Sequence, residues 1–187
     1  MMKLRYLPAL FLFALTPFAA ERTSPAPPSS AAWNRILLDR IPLFGHRNWI
    51  VIADSAYPAQ SRPGIETIVS NSDHLQVLRQ VLATLSTSRH VTPIVYTDRE
   101  LQFLEDKDAP SISAYRSQLA EVLHNRTVSS LPHEEIIAKL DQVSQTFRVL
   151  IIKTNLTLPY TSVFLQLDCA YWGVDAERRL RAKMAAH

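Results

Sequence analysis

The sequence predicts a single α/β domain with a mainly parallel central sheet and flanking helices. Three observations predict it. Short apolar, β-branched runs recur along the chain, "WIVIAD" (49–54) and "RVLIIKT" (148–154) among them, and continuous runs of that kind suit strands covered on both faces. Segments with apolar residues at helical spacing stand between those runs, the alternation expected of βαβ units. The length, 187 residues, fits one domain better than two.

Each element has its own signal. "WNRILLDRIPLF" places Trp33, Ile36, Leu37 and Ile41 near helical spacing, and Pro42 and Gly45 end it. "WIVIAD" is the first strand. "SDHLQVLRQVLATL" (72–85) repeats Leu75, Leu78, Val81, Leu82 and Leu85 on one helix face, with Ser72 or Asp73 as its cap. "TPIVYT" (92–97) is a strand, and "DRELQFLED" and "SISAYRSQLAEVLHN" read as helices. "TVSSL" (127–131) is a brief strand, after which Pro132 opens a helix from His133 to about Gln145. "RVLIIKT" and "TSVFLQLD" (161–168) are the last strands, joined by the turn "NLTLPY". The tail "VDAERRLRAKMAAH" reads as a charged helix on the outside.

The domain is expected over residues 33–187. Ahead of it, residues 1–20 carry Lys3 and Arg5, then an apolar core, then small residues, the pattern of a signal peptide. That core is too short to span a bilayer. An exported, periplasmic or secreted protein is therefore expected. Residues 21–32, "ERTSPAPPSSAA", read as a flexible spacer. Without the first twenty residues the formal charge falls from +3 to +1, because Lys3 and Arg5 leave and no acid does. No basic stripe interleaved with aromatics is present, so no nucleic-acid partner is expected. The single cysteine, Cys169, excludes an intramolecular disulfide and reads as a buried, inert thiol.

Only three glycines occur, at 45, 64 and 173, and no glycine-rich phosphate loop or GxSxG elbow is present. His74, His90 and His124 lack metal-ligand spacing and read as surface or helix-end residues; no metal and no cofactor is expected. Trp49 reads as a packing residue and Trp172 as core or interface. What remains for chemistry is His46, in a turn after Gly45, and Asp54, at the carboxyl end of the first strand. An imidazole exchanges protons near neutral pH, and open parallel sheets bind ligands beyond the carboxyl ends of their strands.

The segments "GHRNWIVIADSAYP", "IETIVSNSDHLQVLRQVL", "AYRSQLAEVL", "SLPHEEIIAKL" and "IIKTNLTLPYTSVFLQL" occur in that order. Together they resemble the D-ribose pyranase / L-fucose mutarotase family (RbsD/FucU), over roughly residues 33–172. The resemblance implies a monosaccharide mutarotase or pyranase acting on a ribose- or fucose-like sugar. It implies His46 as general acid/base and Asp54 as a sugar-binding carboxylate. It also implies sugar contacts from His133, Tyr160, Thr161 and Ser162, and a homo-oligomer with sites near subunit contacts. The family commonly has a Gly-Glu pair where this chain has Thr154-Asn155, and Asn where it has Ser162. An exported, non-catalytic monosaccharide-binding protein of the same fold is the alternative, and an α/β protein that has lost the pocket is a third.

Overall fold

The structure is a computed structural model, and it describes residues 30–186. The expected signal segment and most of the expected spacer lie outside the described residues, while 30–32 form the first turn of α1 (Ser30–Arg40). The remaining elements are β1 (Trp49–Ala53), β2 (Ile65–Val69), α2 (His74–Ser86), β3 (Val91–Asp98), α3 (Ile112–Leu123), β4 (Val128–Leu131), α4 (His133–Val143), β5 (Val149–Lys153), β6 (Val163–Cys169) and α5 (Val174–Ala185). Three-residue and five-residue 3-10 turns follow α1 and β3.

The six strands form one sheet in the order β2-β5-β1-β6-β3-β4. The sheet is mixed: β6 alone runs against its neighbours β1 and β3, and the other pairings are parallel. The central strand β1 is buried at every position, as its unbroken apolar run requires. Alternation across the pleat sorts its side chains into two cores. Ile50 and Ile52 join Leu150, Ile152, Leu165 and the apolar faces of α1, α2 and α3 on one side. Trp49, Val51 and Ala53 join Val149, Ile151, Phe164 and the Ile136 and Leu140 stripe of α4 on the other. Asp73, not Ser72, caps α2, its carboxylate accepting from the Gln76 N–H at 2.9 Å.

Two elements depart from the sequence-based expectation. β2 was not anticipated, because "IETIV" is an edge strand, half-buried over its first four residues, whose adjacent polar residues Glu66 and Thr67 break the apolar run. The helix expected over "DRELQFLED" contracts to the 3-10 turn Arg99–Phe103, with Leu104 already extended. Leu101 is the one side chain of that turn that is buried, while Phe103 faces solvent, so no apolar stripe holds a longer helix.

The glycines also differ in role. Gly45 has no positive φ, and a Cβ there would meet nothing within 4 Å; the left-handed residue of that turn is Arg47, at φ 74°. Gly64 is a true close approach, since a Cβ would stand 2.0 Å from the Ser144 carbonyl oxygen. Trp172 does not enter the core. It is half exposed and donates its indole N–H to Glu177 at 2.8 Å, on a helix α5 that buries none of its side chains. Cys169 is a free thiol of intermediate exposure rather than a fully buried one, because it ends β6 at the rim of the sheet. Among the described residues, no helix is long and apolar enough to cross a membrane.

Candidate functional site

The reversed direction of β6 builds the site. Val163, its first residue, pairs with Ile52 near the end of β1 and with Thr97 near the end of β3. The start of β6 therefore meets the carboxyl ends of two parallel-running strands, and Asp98 at the end of β3 pairs with Leu131 at the end of β4. Four stretches of chain converge there: Asp54 after β1, Asp98 closing β3, His133 opening α4, and Tyr160 to Ser162 before β6. It is the place where open α/β sheets accept ligands.

Asp54 closes a tight turn, its Oδ1 accepting the Ala56 N–H at 2.8 Å and its Oδ2 accepting the Ser162 hydroxyl at 3.4 Å. The loop before β6 is tied to the same strand end. Thr154 donates both its N–H and its hydroxyl to the Ala53 carbonyl, and Ser55 donates to the Leu156 carbonyl at 2.8 Å. Tyr160 sits in the left-handed region at φ 55°, unusual for a bulky side chain, and its ring remains partly exposed. That conformation turns the Tyr160 ring edge-on to His133, with centroids 5.4 Å apart. Thr161 is fully buried and gives its hydroxyl to the Leu158 carbonyl at 2.8 Å, so it closes the turn from within.

His133 Nδ1 lies 3.0 Å from Asp98 Oδ1. Asp98 is fully buried, and burial pushes its carboxyl up to about 6 although His133 pulls the other way. Glu100 and Asp54 add to the upward push as neighbouring negative charges. Among the described residues Asp98 Oδ2 has no hydrogen-bond partner, and neither has the buried hydroxyl of Tyr57. Burial raises the Tyr57 phenol, and the Asp98 and Asp54 carboxylates raise it further. Glu100 accepts the backbone N–H of His133 at 3.0 and 3.1 Å and so caps α4 from outside the helix.

A buried pair lies beneath this layer. His74 is wholly buried rather than at the surface, because as the first residue of α2 it points under the end of β1. Its Nε2 faces the Ile52 carbonyl at 3.1 Å and therefore carries the proton. Its Nδ1, then an acceptor, and the Thr161 carbonyl share the single proton of the Tyr115 hydroxyl, at 3.1 and 3.0 Å. Burial pushes His74 down to about 4, so it stays neutral at pH 7. The pair braces β1 against the loop that carries Tyr160 and Ser162.

His46 is elsewhere. It is exposed, in the turn before β1, at the opposite end of the strand from Asp54. At about 3.3 Å per residue, β1 separates the two by on the order of 15 Å. A cavity of about 450 Å³ opens at the His46 end, lined by Arg40, Phe44, Glu66 and Arg148 among others. Within it Arg40 is matched to Glu66 by two hydrogen bonds at 2.7 and 2.9 Å, and Arg148 donates to the neutral Pro63 carbonyl. Among the described residues no group of histidines, cysteines and carboxylates could hold a metal ion.

The structure thus brings Asp54, His133, Tyr160 and Ser162 together, seats Thr161 behind them, and leaves His46 apart. Sequence reasoning missed Asp98, Glu100, Tyr57 and the His74–Tyr115 pair. The rule that drew attention to Asp54, a carboxylate at the carboxyl end of a strand, applies equally to Asp98 in "IVYTDRE".

A model of the RbsD / FucU transport protein family matches residues 29–170. No curated protein sequence matches the chain. Among solved structures, RbsD of Bacillus subtilis complexed with D-ribose is 21% identical, with a TM-score of 0.48, covering 78% of this chain and 98% of its own. The fucose mutarotase of Streptococcus pneumoniae in complex with L-fucose is 19% identical, with a TM-score of 0.48, covering 71% and 91%. FucU from Bifidobacterium longum is 16% identical, with a TM-score of 0.46, covering 72% and 94%.

Proposed function

The chain belongs to the RbsD / FucU family, and we propose that it is a monosaccharide mutarotase or pyranase acting on a ribose- or fucose-like sugar. The observation that carries this reading is the gathering of Asp54, Asp98, His133, Tyr160 and Ser162 at one end of the sheet. Carboxylates, hydroxyls and an imidazole are the groups that grip several sugar hydroxyls at once.

The reaction asks little of a protein. The anomeric hydroxyl loses a proton, the ring oxygen gains one, and the bond between the anomeric carbon and the ring oxygen opens. Reclosure on the other face, or through another hydroxyl, gives a new anomer or ring size. Positioned acid/base groups contribute roughly a hundred- to ten-thousand-fold to such proton transfers. Asp54 and Tyr160 would hold hydroxyls of the sugar, with Ser162 fixing Asp54. His46 is the acid/base group of this reading, and because it lies at the far end of β1 from Asp54 in its own chain, it would act on the Asp54 pocket of a second copy. The reading therefore includes a homo-oligomer with sites at subunit contacts. It also includes export, supported by the basic-then-apolar pattern of residues 1–20.

NMR exchange between the anomers of D-ribose and of L-fucose tests this with the full chain and its His46→Ala variant. Faster exchange with the wild type and a loss with the variant is the expected result. The distance between His46 and Asp54 within one chain favours a second reading, a non-catalytic monosaccharide-binding protein. Saturable binding of either sugar without any acceleration of exchange would establish that one instead.

A further inference from the structure

We propose that His133, held by the buried carboxylate of Asp98, is itself a proton-transfer group of the site, with Asp98 as its positioning residue. The inference rests on the mutarotase reading and deepens it. His133 was expected only to contact the sugar; its surroundings equip it for more.

An ionised carboxylate can only accept hydrogen bonds. Asp98 Oδ1, 3.0 Å from His133 Nδ1, therefore places the proton of a neutral imidazole on Nδ1. The lone pair is then on Nε2, which has no hydrogen-bond partner among the described residues, on a side chain that is 28% exposed. His133 is also fixed at its backbone, where Glu100 accepts its N–H. Two carboxylates from one stretch of chain, Asp98 and Glu100, thus hold both ends of a single residue. A sugar contact alone would not call for a fully buried carboxylate behind the imidazole, since burying that charge is costly. An acid/base imidazole does, because its tautomer and ring orientation decide whether the proton can move.

The proton count closes. His133 Nε2 takes the proton of the anomeric hydroxyl, and the electron pair of that O–H bond becomes the second carbon–oxygen bond of the carbonyl. The bond from the anomeric carbon to the ring oxygen breaks with its pair on the ring oxygen. That oxygen takes a proton from a second acid, the role the functional reading gives to His46 of another copy. Rotation about the bond to the carbonyl carbon and reclosure run the same transfers backwards, which returns both histidines to their starting states. The charged and titratable groups that face the Asp98–His133 pair are Asp54 after β1, Tyr57 beside it, Glu100 after β3 and the Tyr160 ring before β6.

The test is the exchange assay on the full chain with Asp98→Asn and His133→Gln, each followed against pH and alongside thermal unfolding. Asp98→Asn keeps an oxygen for the Nδ1 proton and loses the charge. The expected result is a kcat lowered about tenfold or more with KM within about twofold. The acidic limb of its profile changes, because the Asp98 carboxyl, which burial pushes up to about 6, no longer titrates in that range, and its unfolding temperature is not lowered. His133→Gln, which keeps hydrogen bonding and cannot carry a proton, is expected to lose about a hundredfold or more in kcat while still binding sugar. A merely structural Asp98 would lower the unfolding temperature and leave the pH profile in place, and that pattern overturns the inference. So does a His133→Gln variant with wild-type kcat. A wild type that accelerates neither sugar overturns the mutarotase reading and this inference together. A wild type that turns over while both variants keep its kcat overturns the inference alone.

Discussion

The Asp54 carboxylate accepts a hydrogen bond from the Ser162 hydroxyl at 3.4 Å, across 108 residues of sequence. The other Asp54 oxygen is held by the Ala56 N–H. A carboxylate fixed at both oxygens keeps its direction, and its remaining lone pairs are free for sugar hydroxyls. Removing it as Asp54→Ala is expected to weaken sugar binding roughly ten- to hundredfold, the scale of one hydrogen bond to a charged group. Ser162→Ala, which frees Asp54 without removing it, is expected to cost about two- to tenfold. Isothermal titration with D-ribose and L-fucose measures both, and equal losses for the two variants would contradict the division of roles.

Asp98 and His74 pull the pH dependence of stability in opposite directions. The folded protein holds a proton on Asp98 up to about pH 6, above the ordinary carboxylate range. Between about pH 4 and 6 the native state thus binds more protons at this site than the unfolded chain. Its contribution is favourable at acid pH and is lost as pH rises through that window. His74 is held down at about 4, so there the unfolded chain binds more protons. Its contribution is present above about pH 6.5 and is lost as pH falls towards 4. Each is worth on the order of 3 kcal/mol at full extent, and the two oppose one another between pH 4 and 6. Asp98→Asn removes one side. Its unfolding temperature is expected to exceed that of the wild type at pH 7.5, with the difference shrinking towards zero at pH 4. Calorimetry across that range decides it, and a difference that grows on acidification would be the wrong sign.

His46 and Asp54 lie at opposite ends of β1, so one chain cannot bring both to one small sugar. His46→Ala alone should lose turnover, and Asp54→Ala alone should turn over poorly at sugar concentrations that saturate the wild type. After unfolding and refolding together in equal amounts, about a quarter of the sites in a symmetric oligomer would receive both intact residues. Recovery of activity near that fraction is the expected outcome. An inactive mixture that nonetheless assembles with the wild-type mass would argue against a shared site.

Gly64 is expected to be the least replaceable glycine of the three. An added Cβ would stand 2.0 Å from the Ser144 carbonyl oxygen and 2.7 Å from that of Phe147. The neighbouring Gly64 carbonyl accepts the Val149 N–H at the start of β5, so the backbone cannot simply back away. Gly64→Ala is expected to cost about 1–3 kcal/mol, the scale of forced overpacking. Gly45→Ala, with open space around it, is expected to fall within about 0.5 kcal/mol of wild type. Urea unfolding of the two variants compares them directly.

Much of this protein is legible in its residues. The apolar runs of β1 and β5 identify a buried sheet centre, because a strand covered on both faces has no polar position to spare. The helices α2 and α4 follow from their periodic apolar faces and from Asp73 and Pro132 at their starts. Asp54 could be singled out because the carboxyl end of a strand is a local property. The edge strand β2 could not, since an edge needs only one partner and leaves a weaker pattern. Nor could the reversed β6, whose direction depends on which strands it joins. That reversal, a tertiary fact, sets Ser162 beside Asp54 and brings the ends of β1 and β3 to one place. Asp98 and His133 are 35 residues apart and carry no shared motif; their 3.0 Å contact exists because β3 and β4 are parallel neighbours in register. The same geometry parted His46 from Asp54, although only eight residues separate them, because an extended strand puts its ends as far apart as the chain allows. Local pattern determined the elements and some of the reactive groups, and strand order and direction decided which of those groups meet.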